Sequence, residues 1–279
     1  MIRHPQRGST AVRLMTAFVL IPIVLVLIWV PALRIGYVLF CAAIVTIGMR
    51  EYFGMVRARG IEGDDAGGIV GGLILVAAGA CARPEALGLG LALALILAMS
   101  FHLFRGKHTL PGMAATVFGI AYLAFFAAHF VALHRTDPQG PALVMLLLVA
   151  VGLSDTGAYF TGKTIGKHKL APVVSPKKTV EGSIGGLVWA ALGMALLWAL
   201  RDYAGWHAMP PWTLTMYIGV GFVLAVAGQI GDLAESMLKR DTGIKDSGSI
   251  FPGHGGILDR VDGILFAAPL LYYIALIWK

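Results

Sequence analysis

The chain has 279 residues, with 22 basic and 15 acidic side chains and a formal net charge of +7. Hydrophobic residues make up 58% of it and charged residues only 13%, whereas soluble domains carry roughly 25% charged residues. This composition excludes an ordinary soluble protein and indicates an integral membrane protein. The positive charge does not indicate nucleic-acid binding, because no basic domain stands apart from the apolar segments.

Apolar segments follow one another along the whole chain. The sequence predicts an all-α polytopic membrane protein with about nine transmembrane helices. The third segment is short and rich in glycine, so a tilted or re-entrant helix stays open there. The nine segments are residues 14–33, 35–56, 69–82, 86–104, 113–133, 142–160, 183–200, 212–233 and 257–278.

The basic residues predict how these helices are oriented. With the N-terminus in the cytoplasm, 17 of the 22 Lys and Arg residues fall in cytoplasmic loops and 5 outside, as the positive-inside rule requires. Nine spans then leave the C-terminus outside. We expect residues 1–140 to form N-terminal transmembrane helices. Residues 141–279 would form a catalytic transmembrane region with two cytoplasmic loops, 161–182 and 239–256.

The first polar cluster begins at Asp155, near the end of an apolar segment, and continues through a loop rich in glycine, serine and lysine. Such loops suit phosphate groups, because backbone N–H groups and ammonium groups can both point at an anion. An ordinary basic loop on anionic lipid is the alternative, but it would need no acidic residues. The candidate substrate-binding residues here are Lys167, Ser175, Lys177, Lys178, Thr179 and Glu181.

The second polar cluster joins the last two apolar segments. Asp232, Glu235, Ser236 and Lys239 share one helical face, and such a face should line a cavity. Asp259 and Asp262 share a face of the last helix, so Asp232 and Asp259 can meet as a carboxylate pair that holds Mg²⁺. Asp155 and Asp262 are further candidate metal ligands. Alternatively, these acids only form salt bridges with Lys239, Arg240 and Arg260.

The loop between these helices supplies further candidates. Ser236, Lys245, Asp246, Gly255 and Gly256 are expected to bind substrate, the glycines by letting the backbone approach a phosphate. His254 is a catalytic candidate, as a general acid or phosphate donor, although a structural role stays open. Earlier in the chain, Glu51 is expected to form a salt bridge at a helix end.

The order of residues from Ser236 to Asp262 resembles the phosphatidate cytidylyltransferases, also called CDP-diacylglycerol synthases. The shared pattern is Ser, Lys-Arg, Lys-Asp, His-Gly-Gly, Asp-Arg and Asp at the family's spacing. The run from Asp155 to Gly182 is also similar to that family. The likeness covers roughly the last 130 residues, and the first half is similar mainly in hydropathy.

The resemblance implies that CTP and phosphatidate react to give CDP-diacylglycerol and pyrophosphate. It implies Mg²⁺ as cofactor, membrane lipids as partners, and a bacterial cytoplasmic membrane with the active site on the cytoplasmic side. Catalytic roles would then go to Asp232, Asp259, Lys239, Arg240 and Arg260. A CTP-dependent transferase acting on an isoprenoid alcohol or its phosphate, and a cation-coupled secondary transporter, stay open, as does a homodimer.

Overall fold

A computed structural model of the protein describes residues 10–106, 109–248, 250 and 255–278. Within these ranges the chain is almost entirely helical. A 3-10 turn, Pro31–Leu33, precedes the second helix, and a π-helical segment, Ile120–Phe125, joins the fifth to the sixth. The helices are α1 Thr10–Trp29, α2 Arg34–Ala58, α3 Asp65–Ala80, α4 Pro84–Phe104, α5 Leu110–Gly119, α6 Phe126–His134, α7 Gly140–Ile165, α8 Val180–Tyr203, α9 Leu214–Asp241 and α10 Leu258–Ile277.

Every predicted apolar segment corresponds to helix in the structure, with the fifth divided between α5, the π segment and α6. Seven helical stretches in the described residues are long and apolar enough to cross a membrane. Two apolar helices are shorter: Leu20–Trp29 within α1, and α3 with 16 residues. An all-α polytopic membrane protein is therefore confirmed, while a count of nine spans stays a prediction.

The connecting loops separate into two groups at opposite ends of the bundle. At one end Arg59 lies 3.5 Å from Asp241, and Arg240 donates to the carbonyl oxygen of Val174 at 3.2 Å. This joins the loops that follow α2, α7 and α9. At the other end Trp212 Nε1 donates to the carbonyl oxygen of Trp278 at 3.0 Å. These three loops, all predicted to be cytoplasmic, thus share one end of the described structure, here called the polar end.

Glycine brings the helices around the polar end into close contact. A Cβ on Gly182 of α8 would lie 2.8 Å from the carbonyl oxygen of Ala158 in α7, and one on Gly231 of α9 would lie 2.5 Å from that of Asp262 in α10. Small residues favour such approach in membranes, where apolar side chains gain little by leaving lipid. Gly182, expected to belong to a phosphate loop, therefore serves helix packing.

The loop between α7 and α8 folds into a hairpin that the sequence did not predict. Strands β1, Lys169–Ala171, and β2, Ser175–Thr179, pair antiparallel, with Lys169 opposite Thr179 and Ala171 opposite Ser175. Thr179 then caps α8, its hydroxyl oxygen accepting from the backbone N–H of Gly182 at 3.1 Å. Such caps satisfy an otherwise unpaired helix N–H. The hairpin fixes where its lysines leave the backbone.

Candidate active site

A cavity of about 690 Å³ opens at the polar end between α7, α8, α9, α10 and the hairpin. It brings the two polar clusters of the sequence together. Its formal charge is nearly balanced, since six carboxylates and five basic groups share one wall. These side chains are Asp155, Asp232, Glu235, Asp246, Asp259, Asp262, Lys163, Lys177, Lys178, Lys239 and Arg260.

An ion pair links the two clusters directly. Lys178, on β2, places Nζ 2.6 Å from Oδ2 of Asp232 on α9. Both side chains are partly buried, with 26% and 38% of their surface exposed. The lysine therefore ties the hairpin to α9, and its ammonium nitrogen is buried against the carboxylate. Residues 54 positions apart in the chain thus meet in one site.

The carboxylates of Asp155, Asp232 and Asp262 line the cavity together. They come from three helices, α7, α9 and α10, and Asp262 Oδ1 also accepts from the backbone N–H of Gly263 at 2.8 Å. In the part of the chain that the structure describes, no three acidic, histidine or cysteine side chains form a ready-made metal cage. Oxygen donors of this kind nevertheless suit Mg²⁺, which usually takes one or two carboxylates and completes its shell with water and phosphate.

Asp259 does not pair with Asp232 as the sequence suggested. Its Oδ1 lies 2.5 Å from Nζ of Lys239, and that ammonium group also lies 2.7 Å from Oε2 of Glu235. All three side chains are largely buried, with 10%, 14% and 1% of their surface exposed. A buried lysine between two carboxylates compensates both charges. Thus the alternative expectation, that some of these acids form salt bridges, describes Asp259.

The second carboxylate oxygen of Asp259 accepts hydrogen bonds from the loop that leads into α10. Oδ2 accepts from the backbone N–H of Ser247 at 2.9 Å, from its hydroxyl at 2.8 Å, and from the backbone N–H of Gly256 at 2.8 Å. The site therefore uses Gly256 to let a carboxylate of the protein approach the backbone. Gly255 adopts a φ of +81°, which glycine accepts without steric cost.

Glu51, from α2, completes this arrangement. Its carboxylate accepts from the backbone N–H groups of Ile257 and Leu258, each at 3.0 Å, and its Oε2 lies 3.2 Å from the hydroxyl oxygen of Ser247. An acid at a helix N-terminus is favoured, because the first N–H groups have no partner within the helix. The expected salt bridge is therefore wrong: Glu51 caps α10 from another helix. We call Glu51, Asp259, Ser247 and Gly256 the carboxylate clasp.

Comparison with known proteins shows which protein family this chain belongs to. The model of the cytidylyltransferase family matches residues 11–278. The chain belongs to this family. A phosphatidate cytidylyltransferase from Synechocystis sp. is 33% identical over 264 residues, 85% of this chain and 87% of the relative. One from Staphylococcus haemolyticus is 35% identical over 261 residues, covering 89% and 94%.

The family resemblance inferred from the polar clusters is thus confirmed, and it extends well beyond the last 130 residues. The matched residues include α2 and hence Glu51. A cytidylyltransferase is an enzyme that transfers a nucleotidyl group, so the predicted class of enzyme is confirmed as well.

Several predicted residues of this cytidylyltransferase lie beside the cavity and not on its wall. Glu181 accepts from the backbone N–H groups of Lys167 and His168, at 3.0 and 3.2 Å, and so holds the turn before the hairpin. Arg240 is exposed and donates a hydrogen bond to the backbone carbonyl oxygen of Val174 in that hairpin. His254 lies outside the described residues. The predicted residues off the wall are Lys167, Ser175, Glu181, Ser236, Arg240, Lys245, Gly255 and Gly256.

Sequence reasoning also missed members of the site. Glu235 was placed on the polar face but given no role, although its Oε2 contacts Lys239 and its Oε1 is buried without a hydrogen-bond partner among the described residues. Gln229 was likewise passed over. Its Nε2 donates to the hydroxyl of Ser154 at 3.2 Å and to the carbonyl oxygen of Ser183 at 3.1 Å, which ties α9 to α7 and α8. A polar residue deep in an apolar helix was the available signal.

Proposed function

We propose that this protein is a phosphatidate cytidylyltransferase that converts CTP and phosphatidate into CDP-diacylglycerol and pyrophosphate. One observation carries the proposal: a single cavity at the polar end joins the two clusters on which the family resemblance rests. The relatives that carry this name match nearly the whole chain. The cavity also lies where an apolar bundle meets water, so a lipid headgroup and a soluble nucleotide can both reach it.

In this reaction an oxygen of the lipid phosphate attacks the α-phosphorus of CTP. The bond from that phosphorus to the oxygen bridging to the β-phosphate breaks, and pyrophosphate leaves with the electron pair. A phosphate monoester carries a charge between about −1.5 and −2 at neutral pH, so the nucleophile needs no strong base. Catalysis then rests on positioning and on compensating charge. His254 is accordingly not required as a general base.

The basic residues of the cavity would compensate the charge of the substrates. Lys163 and Lys177 lie at its mouth, Lys178 bridges to Asp232, and Arg260 stands at the start of α10. Guanidinium groups can bind phosphate through two parallel hydrogen bonds. We assign Arg260 to the lipid phosphate and the three lysines to the triphosphate. Lys239 lies between Glu235 and Asp259 and would hold these two carboxylates in place.

The near balance of acids and bases argues for a cation with the nucleotide. A triphosphate and a lipid phosphate would add several negative charges to a cavity whose own formal charge is close to zero. Asp155, Asp232 and Asp262 would hold Mg²⁺ together with phosphate oxygens, in accord with their oxygen donors and their shared place on the cavity wall. Bound Mg²⁺ would stabilise charge on the transferred phosphorus and on the leaving pyrophosphate.

We further propose nine spans, with the polar end in the cytoplasm and the C-terminus outside, in a bacterial cytoplasmic membrane. The separation of the basic loops at one end supports this orientation. Single cysteines replacing Lys167 and Lys245 should react with an impermeant thiol reagent only from the cytoplasmic side. A cysteine replacing the exposed Asp137 should react only from the outside. Labelling of Lys167→Cys and Lys245→Cys from opposite sides would contradict the proposal.

The decisive assay uses the purified full-length protein in detergent micelles. CTP, phosphatidate and Mg²⁺ should yield CDP-diacylglycerol and pyrophosphate in equal amounts, and omission of any one should abolish both. Polyprenol and polyprenyl phosphate, offered in place of phosphatidate, should give no cytidylylated lipid. Turnover only with the polyprenyl acceptors would reject phosphatidate as substrate. Absence of turnover with every acceptor would reject the proposed enzyme activity.

A further inference from the structure

A second cavity, of about 340 Å³, lies between α1, α2, α6, α7 and α10. Its volume falls within the range of about 300–1,000 Å³ that ligand pockets usually have. Its wall is apolar except at one point, where Arg260 is the single charged residue among the described side chains that line it. Arg260 also lines the polar cavity. One guanidinium group therefore stands at the junction of a polar chamber and an apolar one.

The residues that line the apolar cavity lie at well-separated levels of the helices. Its polar end is marked by Ile257, whose backbone N–H binds Glu51 of α2. Its far end reaches Tyr37, which precedes Glu51 by 14 residues on the same helix, or about 21 Å at ~1.5 Å per residue. The buried hydroxyl of Tyr37 donates to the carbonyl oxygen of Phe130 at 3.2 Å, so that end has no unpaired hydroxyl. An apolar space of this reach, with a cation at one end, matches a single acyl chain attached to a phosphate group.

Helix α1 forms the outer wall of this cavity. Leu20, Val24 and Leu27 follow one another at intervals of four and three residues and face inward. Ile23 and Val26 point away, with 47% and 49% of their surface exposed. One apolar face of α1 is therefore exposed and the other lines the cavity, so α1 separates part of this cavity from the surface of the bundle.

We propose that one acyl chain of phosphatidate lies in this apolar cavity while Arg260 binds its phosphate at the junction with the polar cavity. The inference rests on the proposed function, because it names where the lipid substrate of that reaction is held. The charge at one end distinguishes an anionic lipid from a neutral one. The phosphate would then enter the polar cavity already directed toward the nucleotide.

A matched pair of substitutions on α1 tests the proposal. Val24→Trp fills the cavity, whereas Val26→Trp adds the same bulk on the lipid-facing side of the same helix. Val24→Trp should raise KM for dioleoyl phosphatidate about tenfold or more, the loss of about 1.4 kcal/mol of binding. KM for CTP should stay within twofold of wild type, and dioctanoyl phosphatidate should be affected less. Val26→Trp should resemble wild type with both lipids.

The natural cysteines provide a second readout that does not depend on turnover. Cys41 is buried and lines the apolar cavity, whereas Cys81, the other cysteine of the chain, is exposed. In a Cys81→Ala variant, prolonged treatment at alkaline pH with a small membrane-permeant thiol reagent should modify Cys41 slowly, because a thiol buried in apolar surroundings is a poor nucleophile. Phosphatidate should slow that modification at least fivefold, while CTP alone and dioleoyl phosphatidylcholine should not.

The outcomes separate the inference from the function on which it rests. If wild type has no cytidylyltransferase activity, the proposed function fails. If wild type is active but Val24→Trp and Val26→Trp have equal kinetic constants for both lipids, the acyl-chain site is wrong. Equal protection of Cys41 by phosphatidylcholine would overturn it too, because the cavity would then hold any membrane lipid.

Discussion

Asp259 and Asp262 stand one helical turn apart on α10, and the structure gives them different surroundings. Both carboxylate oxygens of Asp259 have partners in the protein. Lys239 contacts one oxygen, and Ser247 and Gly256 donate hydrogen bonds to the other. Asp262 lines the cavity with Asp155 and Asp232, and its Oδ1 accepts from the backbone N–H of the neighbouring Gly263. Two acids of one sequence motif therefore differ in what they can do. One holds the site together, and the other is the one that we propose as a ligand of a substrate-borne cation.

The difference matters for reading any loss of activity. A carboxylate with three partners in the protein cannot be removed without loosening the loop that it holds. A carboxylate that faces a cavity can be removed with little effect on the fold. Activity by itself would not distinguish these cases, whereas activity measured together with thermal stability does.

The largest effect is expected at Asp262. Asp262→Asn should lower kcat about a thousandfold, since a ligand lost from the transition state costs about 4 kcal/mol. Its melting temperature in detergent should match that of wild type. Asp259→Asn should lose activity and also stability, because breaking a buried ion pair costs about 3–5 kcal/mol. Steady-state kinetics and thermal unfolding of both variants check this, with the exposed Asp202→Asn as control.

If Asp259→Asn unfolds at the wild-type temperature, the carboxylate clasp is not structural. If Asp262→Asn keeps near-normal turnover across Mg²⁺ concentrations, its place among the metal ligands is wrong. Either result would erase the distinction between the two acids.

A smaller effect is expected when the clasp is disturbed through its backbone. A Cβ on Gly256 would collide with Ser247 Oγ and with the carboxylate of Glu51, so Gly256→Ala should cost about 1–3 kcal/mol of stability through overpacking. Gly54→Ala in α2 is the matched control, because a Cβ there meets nothing within 4 Å. Alanine also favours helix over glycine. Hydrogen exchange of residues 247–258 should rise in the first variant alone.

The same region can be tested through Glu51. Glu51→Gln keeps the shape but loses the charge that compensates two N–H groups at the start of α10, which should cost about 1–3 kcal/mol. Glu85→Gln, at an exposed position on α4, is the control and should leave the melting temperature unchanged. A wild-type melting temperature in Glu51→Gln would show that α10 does not depend on this cap.

The smallest effect is expected at Arg240. Its Nε donates to the carbonyl oxygen of Val174 at an exposed position outside the cavity wall, and water can replace that bond. Arg240→Lys should therefore keep kcat/KM within about threefold of wild type, in line with an exposed hydrogen bond worth about 0.5–1 kcal/mol. A hundredfold loss would instead favour the sequence-based prediction, in which Arg240 grips a phosphate through two hydrogen bonds.

The sequence by itself determined the fold class and the family. A membrane segment must be long and apolar, and basic loops bias its orientation, so hydropathy and charge locate the helices without knowledge of their contacts. The pattern from Ser236 to Asp262 is specific enough to indicate a cytidylyltransferase. Spacing of three or four residues correctly placed Asp232, Glu235 and Lys239 on one helical face.

Only the tertiary structure decided which acids work together. Helical periodicity places Asp259 and Asp262 on one face of α10 but cannot say which of them meets Lys239. That choice depends on how closely α9 and α10 pack at Gly231, and on a loop that folds back to the start of α10. Glu51 lies more than 200 residues before the groups it caps. No local pattern signals such a contact, because its stabilisation arises only when α2 and α10 are already side by side.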